Sequence, residues 1–301
     1  MHQELARRGL ALLALGALAG CARRSPAPQP RYMVGEPYRL GGVWSYPRED
    51  FGLVQTGLAA VAADRRAGRR TSNGEVHDPA LLTAGHRTLQ LPAILRVTNL
   101  ENGLTLDVRV NDRGPPHPGR VVELSRRVAE LLGIRPGGAA QVRIAVVQEA
   151  SRALAAGLPD PETPRLDIAA APLGAVERED LAPPAGAVQA RNLREARPVA
   201  RAAAGPPAAE TASAVPQRLP EQVTRGFAQP GRLFVEAATF GRRDLAEQQA
   251  ARIGGRVEAI GPRARQSFRV RIGPLAGAAE ADRALEGTLR AGVSEARIVV
   301  D

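Results

Sequence analysis

The sequence predicts a small, mainly β barrel and a C-terminal domain of mixed α and β structure, joined by a disordered linker. Apolar and polar residues alternate with period two over residues 104–111 and broadly over 141–148, which is typical of half-buried strands. Residues 149–228 are mostly Ala, Pro, Arg and Glu and cannot bury enough apolar surface to offset the entropy of ordering. Beyond them, strand and helix patterns follow the order β-α-β-β-α-β, the ferredoxin-like split βαβ arrangement.

The composition is consistent with two domains and with an aliphatic core. The chain has 301 residues, of which only 3% are aromatic. The formal net charge is +10, and the chain contains no Lys. A basic chain suits an anionic partner, but the complete absence of Lys also indicates a coding bias, and no nucleic-acid-binding motif is present. We therefore predict no nucleic-acid partner, and the sequence also predicts neither a metal nor a cofactor.

The N-terminus predicts a secreted, lipid-anchored protein. Arg7 and Arg8 precede an apolar run over residues 9–17 that is too short to span a bilayer. The single cysteine, Cys21, excludes an intramolecular disulfide and follows Leu-Ala-Gly directly. This arrangement resembles a bacterial lipobox, in which the cysteine is lipidated and anchors the chain to a membrane surface. Ala22 stands where an Asp would signal inner-membrane retention, which favours the outer membrane.

Two N-terminal features have more than one interpretation. Residues 32–46, which follow a Pro-rich tether, hold all three tyrosines and the only tryptophan. Their rings either stack on sugars or pin an N-terminal strand onto the barrel. Residues 64–70 contain four Arg, which either attract an anion or form a solvated loop.

The barrel strands are predicted from residue 94 onwards. Residues 94–98 are rich in β-branched side chains, and Asn102-Gly103 is a strong hairpin signal before the alternating strand. Residues 120–124 form a further short strand. Ser125 is placed to cap a short helix that Gly133 ends. Several short strands with one short helix indicate a small barrel.

Acidic residues gather on the loops of this barrel. Glu75, Asp78 and His86 lie in one loop-like segment, and Asp112 stands where the strand after the hairpin ends. Carboxylates on loops held by a β scaffold suit acid–base chemistry. Taken singly, Asp78 and Asp112 are better explained by turn formation, and His86 by a buried hydrogen bond to the backbone.

These motifs resemble the RlpA (rare lipoprotein A) family, which combines a lipobox, a double-psi β-barrel, a linker and a SPOR domain. The chain reads T-S-N-G-E-V-H-D, L-T-A-G-H-R-T-L and V-R-V-N-D-R-G-P, where the family has T-A-N-G-E-x-Y-D, L-T-A-A-H-K-T-L and V-R-V-N-D-R-G-P. The C-terminal likeness is looser. There F-V-E-A-A-T-F stands for V-Q-V-G-A-F, and F-R-V-R-I-G-P-L for Y-R-V-R-V-G-P-F.

The resemblance implies an activity and a location. Characterised members include lytic transglycosylases that cut the MurNAc–GlcNAc β-1,4 bond of peptidoglycan strands lacking stem peptides and leave 1,6-anhydromuramic ends. SPOR domains bind the same denuded strands at division sites, which implies divisome partners and a septal position in the cell envelope. The alternative is a non-catalytic, peptidoglycan-binding septal lipoprotein.

The resemblance also implies roles for individual residues. Asp112 matches the catalytic position of related double-psi enzymes, and we expect it to protonate the leaving oxygen and then deprotonate the attacking C6 hydroxyl. Glu75 and Asp78 would shape the site, and His86 would orient a carboxylate or the sugar. Substrate contacts are expected from residues in the same motifs: Asn73, Arg113, Phe240 and Arg271.

Several positions depart from the family pattern. The usual S-W-Y-G is replaced by Ala-Val-Ala-Ala over residues 60–63, so an aromatic pair is missing. His77 replaces an aromatic residue, Gly85 an Ala, and Glu123 an Asp. In the SPOR match, Glu236 and Thr239 replace Gln and Ala.

The predicted segments are a signal peptide (1–20), a lipidated tether (21–31), the barrel (32–148), the linker (149–228) and the SPOR domain (229–301).

Overall fold

The computed structural model describes residues 27–159 and 218–301. The predicted signal peptide, Cys21 and residues 160–217 of the predicted linker lie outside these ranges. Within them, no helix is both long and apolar enough to cross a membrane.

Six strands close into a barrel, which confirms the fold expected of a double-psi barrel. The strands are β3 (Val54–Val61), β4 (Thr83–Gly85), β5 (Ala93–Asn99), β6 (Leu104–Asp112), β7 (Val122–Leu124) and β8 (Ala140–Val146), preceded by a hairpin of β1 (Tyr38–Leu40) and β2 (Val43–Ser45). The sheet order is β4-β7-β3-β8-β5-β6, and β6 pairs back with β4. The β3–β7 and β4–β6 pairs are parallel, whereas the other pairs of the barrel are antiparallel.

The β5–β6 hairpin forms at the predicted Asn-Gly turn. Gly103 has φ +76°, a conformation that suits glycine because it has no Cβ. The Asn102 carboxamide accepts a hydrogen bond from the Leu104 amide and donates one to the Leu132 carbonyl, each of 2.9 Å. The turn is therefore also tied to the helix that follows β7. The enclosed core is aliphatic, as the composition predicts, and includes Leu95, Val97, Leu106, Val108, Leu124 and Ile144.

Two helices flank the barrel. Helix α1 (Arg126–Leu131) begins after Ser125, whose hydroxyl accepts a hydrogen bond from the Val128 amide at 3.3 Å, as the predicted cap requires. Helix α2 (Gln148–Ala156) falls in the predicted linker. Its buried Ser151 hydroxyl accepts a hydrogen bond from the Ile94 amide at 2.9 Å, so α2 packs on β5. The described barrel domain therefore continues beyond residue 148.

The far end of the predicted linker also contacts the barrel. Strand β9 (Thr224–Arg225) pairs with the start of β6. Glu221 accepts two hydrogen bonds, of 2.9 and 2.6 Å, from the Arg127 guanidinium. Leu219 and Val223 pack against the barrel core. Residues 219–225 thus lie along the barrel surface.

The C-terminal domain has the predicted β-α-β-β-α-β order. Its elements are β10 (Leu233–Phe240), α3 (Arg243–Ile253), β11 (Arg256–Ile260), β12 (Ser267–Leu275), α4 (Ala278–Arg290) and β13 (Arg297–Val300). The antiparallel sheet has the order β11-β12-β10-β13. Helix α3 begins directly after its N-cap residue Arg242, and Asp244 in its first turn pairs with Arg242.

The C-terminal domain packs directly on the barrel, which the sequence did not predict. The Arg120 guanidinium donates hydrogen bonds of 2.6 and 2.9 Å to the two carboxylate oxygens of Asp282 in α4. The Thr56 hydroxyl donates to the Val300 carbonyl at 2.6 Å. Leu58 of β3 lies in one apolar cluster with side chains of the C-terminal domain: Leu233, Val235, Leu285 and Ile298.

Gly119 tests whether this contact holds in solution. A Cβ at this position would lie 2.7 Å from Asp282 Oδ1 and 2.8 Å from Ile298 Cδ1. We expect Gly119→Leu to separate the domains, and small-angle X-ray scattering should show an increased radius of gyration. Gly287→Leu is the matched control, since nothing lies within 4 Å of a Cβ there. An unchanged scattering profile for Gly119→Leu would contradict the contact.

Candidate active site

A narrow cleft at one end of the barrel brings two carboxyl groups together. Gly85 of β4 pairs with Asp112 of β6 on one side and with Glu123 of β7 on the other. Neighbouring strands lie about 4.8 Å apart, so the two acidic residues flank a glycine that has no side chain of its own. Arg66, on a 3-10 turn (Asp64–Arg66), and His77 complete the charged and titratable lining. The cleft has a volume of only about 10 Å³, room for about one water molecule.

Asp112 is held by donors on both carboxylate oxygens. Its Oδ1 accepts hydrogen bonds from the Ser72 hydroxyl at 2.7 Å, the Ser72 amide at 3.0 Å and the Arg113 amide at 2.8 Å. Its Oδ2 forms an ion pair with the Arg66 guanidinium. Asp112 is only 7% exposed. The sequence-predicted catalytic carboxyl therefore lines the cleft with a fixed orientation.

Glu123 is the second carboxyl of the cleft. Burial raises its pKa, the Arg66 guanidinium at 3.5 Å opposes this by lowering the pKa, and the nearby charge of Asp112 raises it further. Its Oε2 lies against Gly114, where an added Cβ would approach it to 2.8 Å. Gly114 also has φ +159°. The glycine of N-D-R-G-P thus leaves space for the Glu123 carboxyl.

His77 faces the same cleft. Burial lowers its pKa, and Arg66 lowers it further, whereas Asp112, Asp78 and Asp64 act in the opposite direction. Its Nε2 is buried and has no hydrogen-bond partner among the described residues. A neutral imidazole with a free nitrogen is available to a hydroxyl group that enters the cleft.

Glu75 lies behind the cleft in a buried polar cluster. Its Oε1 accepts hydrogen bonds from Arg109 Nε at 2.9 Å, Arg109 Nη2 at 2.6 Å and the Asn73 amide group at 2.8 Å. Its Oε2 accepts one from the Asn111 amide group at 2.8 Å. Glu75 is 1% exposed and Asn73 fully buried, so neither reaches the cleft surface.

This cluster positions the loop that holds Asp112. The Asn73 amide donates to the Asn111 carbonyl at 3.4 Å, which joins the loop to the end of β6. Ser72, directly before Asn73, then meets Asp112, directly after Asn111. Glu75 therefore bonds both Asn73 and Asn111, the neighbours of the two residues that meet at the Asp112 carboxyl.

His86 and Asp78 make local backbone contacts. His86 is 3% exposed, and burial, followed by the charges of Arg113 and Arg87, lowers its pKa to about 3. Its ring is therefore neutral, and Nδ1 accepts hydrogen bonds from the Thr88 and Leu89 amides. Asp78 is partly buried, and its Oδ1 accepts from the Ala80 amide at 2.8 Å. Both residues stabilise the segment around β4.

The other predicted substrate contacts lie at three separate places. Arg113 donates to the carbonyls of Val34 and Leu89 and so ties the N-terminal segment to the barrel. Phe240 packs beside the apolar cluster of the C-terminal domain. Arg271 is buried and bonded to Glu258 and Asp301. The structure therefore brings only Asp112 of the predicted residues directly onto the cleft.

Sequence reasoning missed Arg66 and Glu123 as site residues. The available signals were the Arg-rich loop and the Glu that stands where the family usually has Asp. Among the described residues, no group of three His, Cys, Asp or Glu side chains is arranged to hold a metal ion.

The Glu75 cluster yields a stability prediction. Glu75→Gln should lower the free energy of unfolding by about 3 kcal/mol, because it leaves the buried Arg109 charge without its counter-ion. Asp107→Asn is the control, since it breaks the exposed Arg96–Asp107 pair of the same hairpin and should cost less than about 1 kcal/mol. Chemical denaturation measures both values. Equal losses would contradict a larger contribution from the buried Arg109–Glu75 pair than from the exposed pair.

Comparison with known proteins identifies both domains. A family model described as lytic transglycolase matches residues 56–144, and a SPOR domain model matches residues 229–298. A crystal structure of the RlpA SPOR domain from Pseudomonas aeruginosa matches with a TM-score of 0.22 and 21% identity, covering 23% of this chain and 99% of that one.

Curated relatives match either most of the chain or a shorter part of it. The endolytic peptidoglycan transglycosylase RlpA of Pseudomonas aeruginosa strain UCBPP-PA14 is 31% identical over 284 residues, covering 91% of this chain and 79% of the relative. The protein of the same name from Vibrio cholerae is 40% identical over 121 residues, covering 37% of this chain and 46% of the relative. With two matching domains in the same chain and a relative aligned over most of both lengths, the chain belongs to the RlpA family.

Proposed function

We propose that this chain is a lytic transglycosylase that cuts the glycan strands of peptidoglycan. One observation carries the proposal: two carboxyl groups, Asp112 and Glu123, flank Gly85 in a cleft of the lytic transglycolase domain, and one of them has a raised pKa. Carboxyl groups in different environments are what glycosidic bond cleavage requires. The names of the curated relatives support the same activity.

Glu123 is the better proton donor of the pair. The sequence favoured Asp112, but both Asp112 oxygens already accept hydrogen bonds, whereas burial favours the protonated form of Glu123. Glu123 gives its proton to the glycosidic oxygen as the bond to C1 breaks. The resulting carboxylate then takes the proton of the muramic C6 hydroxyl, whose oxygen bonds to C1. No water is consumed, and the product is a 1,6-anhydro end.

Asp112 stabilises the charge that develops on the sugar. The ring acquires oxocarbenium character as the leaving oxygen departs, and a nearby oriented carboxylate favours that state. Glu75 acts through Ser72 and Asn111, which hold Asp112 in place. His77 Nε2 supplies a contact for a sugar hydroxyl.

The finer features of the proposal concern substrate and location. We propose that the substrate is the denuded strand. We also propose that Cys21 carries a lipid anchor in the outer membrane facing the periplasm. The C-terminal domain would direct the chain to the septum among divisome proteins. The SPOR domain match supports a wall-binding role. Phe240 and Arg271 remain its proposed glycan contacts, Arg271 through the sheet face it shares with Phe234.

A non-catalytic wall-binding role is the second candidate. The volume of the cleft favours it, because about 10 Å³ admits no sugar ring unless a side chain moves. The two candidates differ in whether product forms.

A product assay decides between them. Incubating the mature chain with denuded strands should yield anhydromuramic ends, and Glu123→Gln should reduce the rate at least about 100-fold because the proton donor is lost. Asp112→Asn should also be strongly impaired. Glu130→Gln, an exposed carboxyl on α1, is the control and should retain full activity. Binding without product in the unmodified chain would favour the second candidate.

The pH dependence tests the assignment of the acid. Because the Glu123 pKa is raised from its ordinary 4.5, its acid form persists to higher pH than that of an exposed Glu. The value of kcat/KM should fall as the pH rises through this pKa, since the needed proton is lost. His77 also titrates below its ordinary 6.5. A limb that disappears in His77→Gln would assign the titration to His77 instead.

A further inference from the structure

Arg66 blocks the cleft in this structure. Of the four arginines in the basic loop, Arg65, Arg69 and Arg70 are exposed, whereas the Arg66 side chain is 31% exposed and turns towards the carboxyl groups. Its guanidinium bonds Asp112 through one nitrogen and lies 3.5 Å from Glu123 Oε2 through another. The same cation thus bridges both groups that the proposed reaction needs.

Cleavage therefore requires that Arg66 leave this position. The remaining volume of about 10 Å³ cannot hold a sugar ring, and a proton donor bonded to a guanidinium is not presented to a glycosidic oxygen. Arg66 lies at the last position of a three-residue 3-10 turn with no side-chain cap. Asp64 of that turn is held by an ion pair to Arg126 in which both side chains are about half exposed. The turn is therefore only weakly anchored.

An anion on the substrate is the natural partner for the displaced guanidinium. A muramic residue without a stem peptide ends its lactyl group in a free carboxylate, whereas a peptide-bearing residue has a neutral amide there. A guanidinium recognises a carboxylate through two parallel hydrogen bonds that an amide cannot reproduce.

We propose that Arg66 is a specificity-determining residue that selects peptide-free muramic residues. Its guanidinium releases Asp112 and Glu123 and binds the lactyl carboxylate of the strand instead. This inference rests on the proposed function and assigns it a means of substrate selection. The exchange opens the cleft only when the correct anion is present. It also removes from Glu123 the cation that lowers its pKa, so the same step favours the protonated donor.

The experiment compares two strands that differ at one group. Denuded glycan and the same glycan with its lactyl carboxylates converted to methylamides are given to the full mature chain, and kcat, KM and binding affinity are measured. We expect the unmodified chain to prefer the carboxylate strand by about tenfold or more in kcat/KM. Arg66→Gln should lose that preference, through weaker cleavage of the carboxylate strand and unchanged or faster cleavage of the amide strand.

Arg65→Gln is the matched control, because it removes the same charge from an exposed side chain of the same turn and should keep the preference. Equal cleavage of both strands by the unmodified chain, or a preference that survives in Arg66→Gln, would overturn the inference while leaving the proposed function intact. Absence of product from both strands would overturn the proposed function. In that case the binding affinities still decide the role of Arg66, since its loss should abolish discrimination in binding.

Discussion

The buried ion pair between Glu75 and Arg109 is the interaction on which the site depends. Both side chains are removed from solvent, and such a pair is tolerated only when further hydrogen bonds satisfy it, as Asn73 and Asn111 do here. The two asparagines belong to the loop and to the end of β6, so satisfying the charge also fixes the loop against the strand. A substitution in this cluster would alter the position of Asp112 without changing a residue that contacts the substrate.

The barrel topology explains why the two carboxyl groups of the cleft meet at β4. This strand is only three residues long and lies between β6 and β7, so a single glycine pairs with an acidic residue on either side. Parallel pairing with one neighbour and antiparallel pairing with the other brings residues from distant parts of the chain to the same level. A Cβ added at Gly85 would lie 3.6 Å from backbone atoms of Asp112 and Gly114, which is ordinary contact, so this position can accommodate the Ala that the family usually has.

Local features could be predicted from the sequence, whereas long-range ones could not. The Asn102-Gly103 turn and the Ser125 cap depend on neighbouring residues, and both appear as expected. The membership of Asp112 in the site followed from the motif resemblance. Glu123 and Arg66 join it through strand register and a loop contact across 57 residues, which no local pattern encodes. The packing of Leu58 against the C-terminal domain is likewise a tertiary contact without a periodic signature.

The described ends of the predicted linker bear on the spacing between the cleft and the C-terminal sheet. Helix α2 packs on β5 and strand β9 pairs with β6, so both described ends of the predicted linker are fixed to the barrel. The C-terminal domain contacts β3 directly, and this contact sets the spacing between the cleft and the C-terminal sheet. Under the proposed function, a glycan bound to both the cleft and the C-terminal sheet would be cut at a set number of sugars from the point where the C-terminal domain holds it.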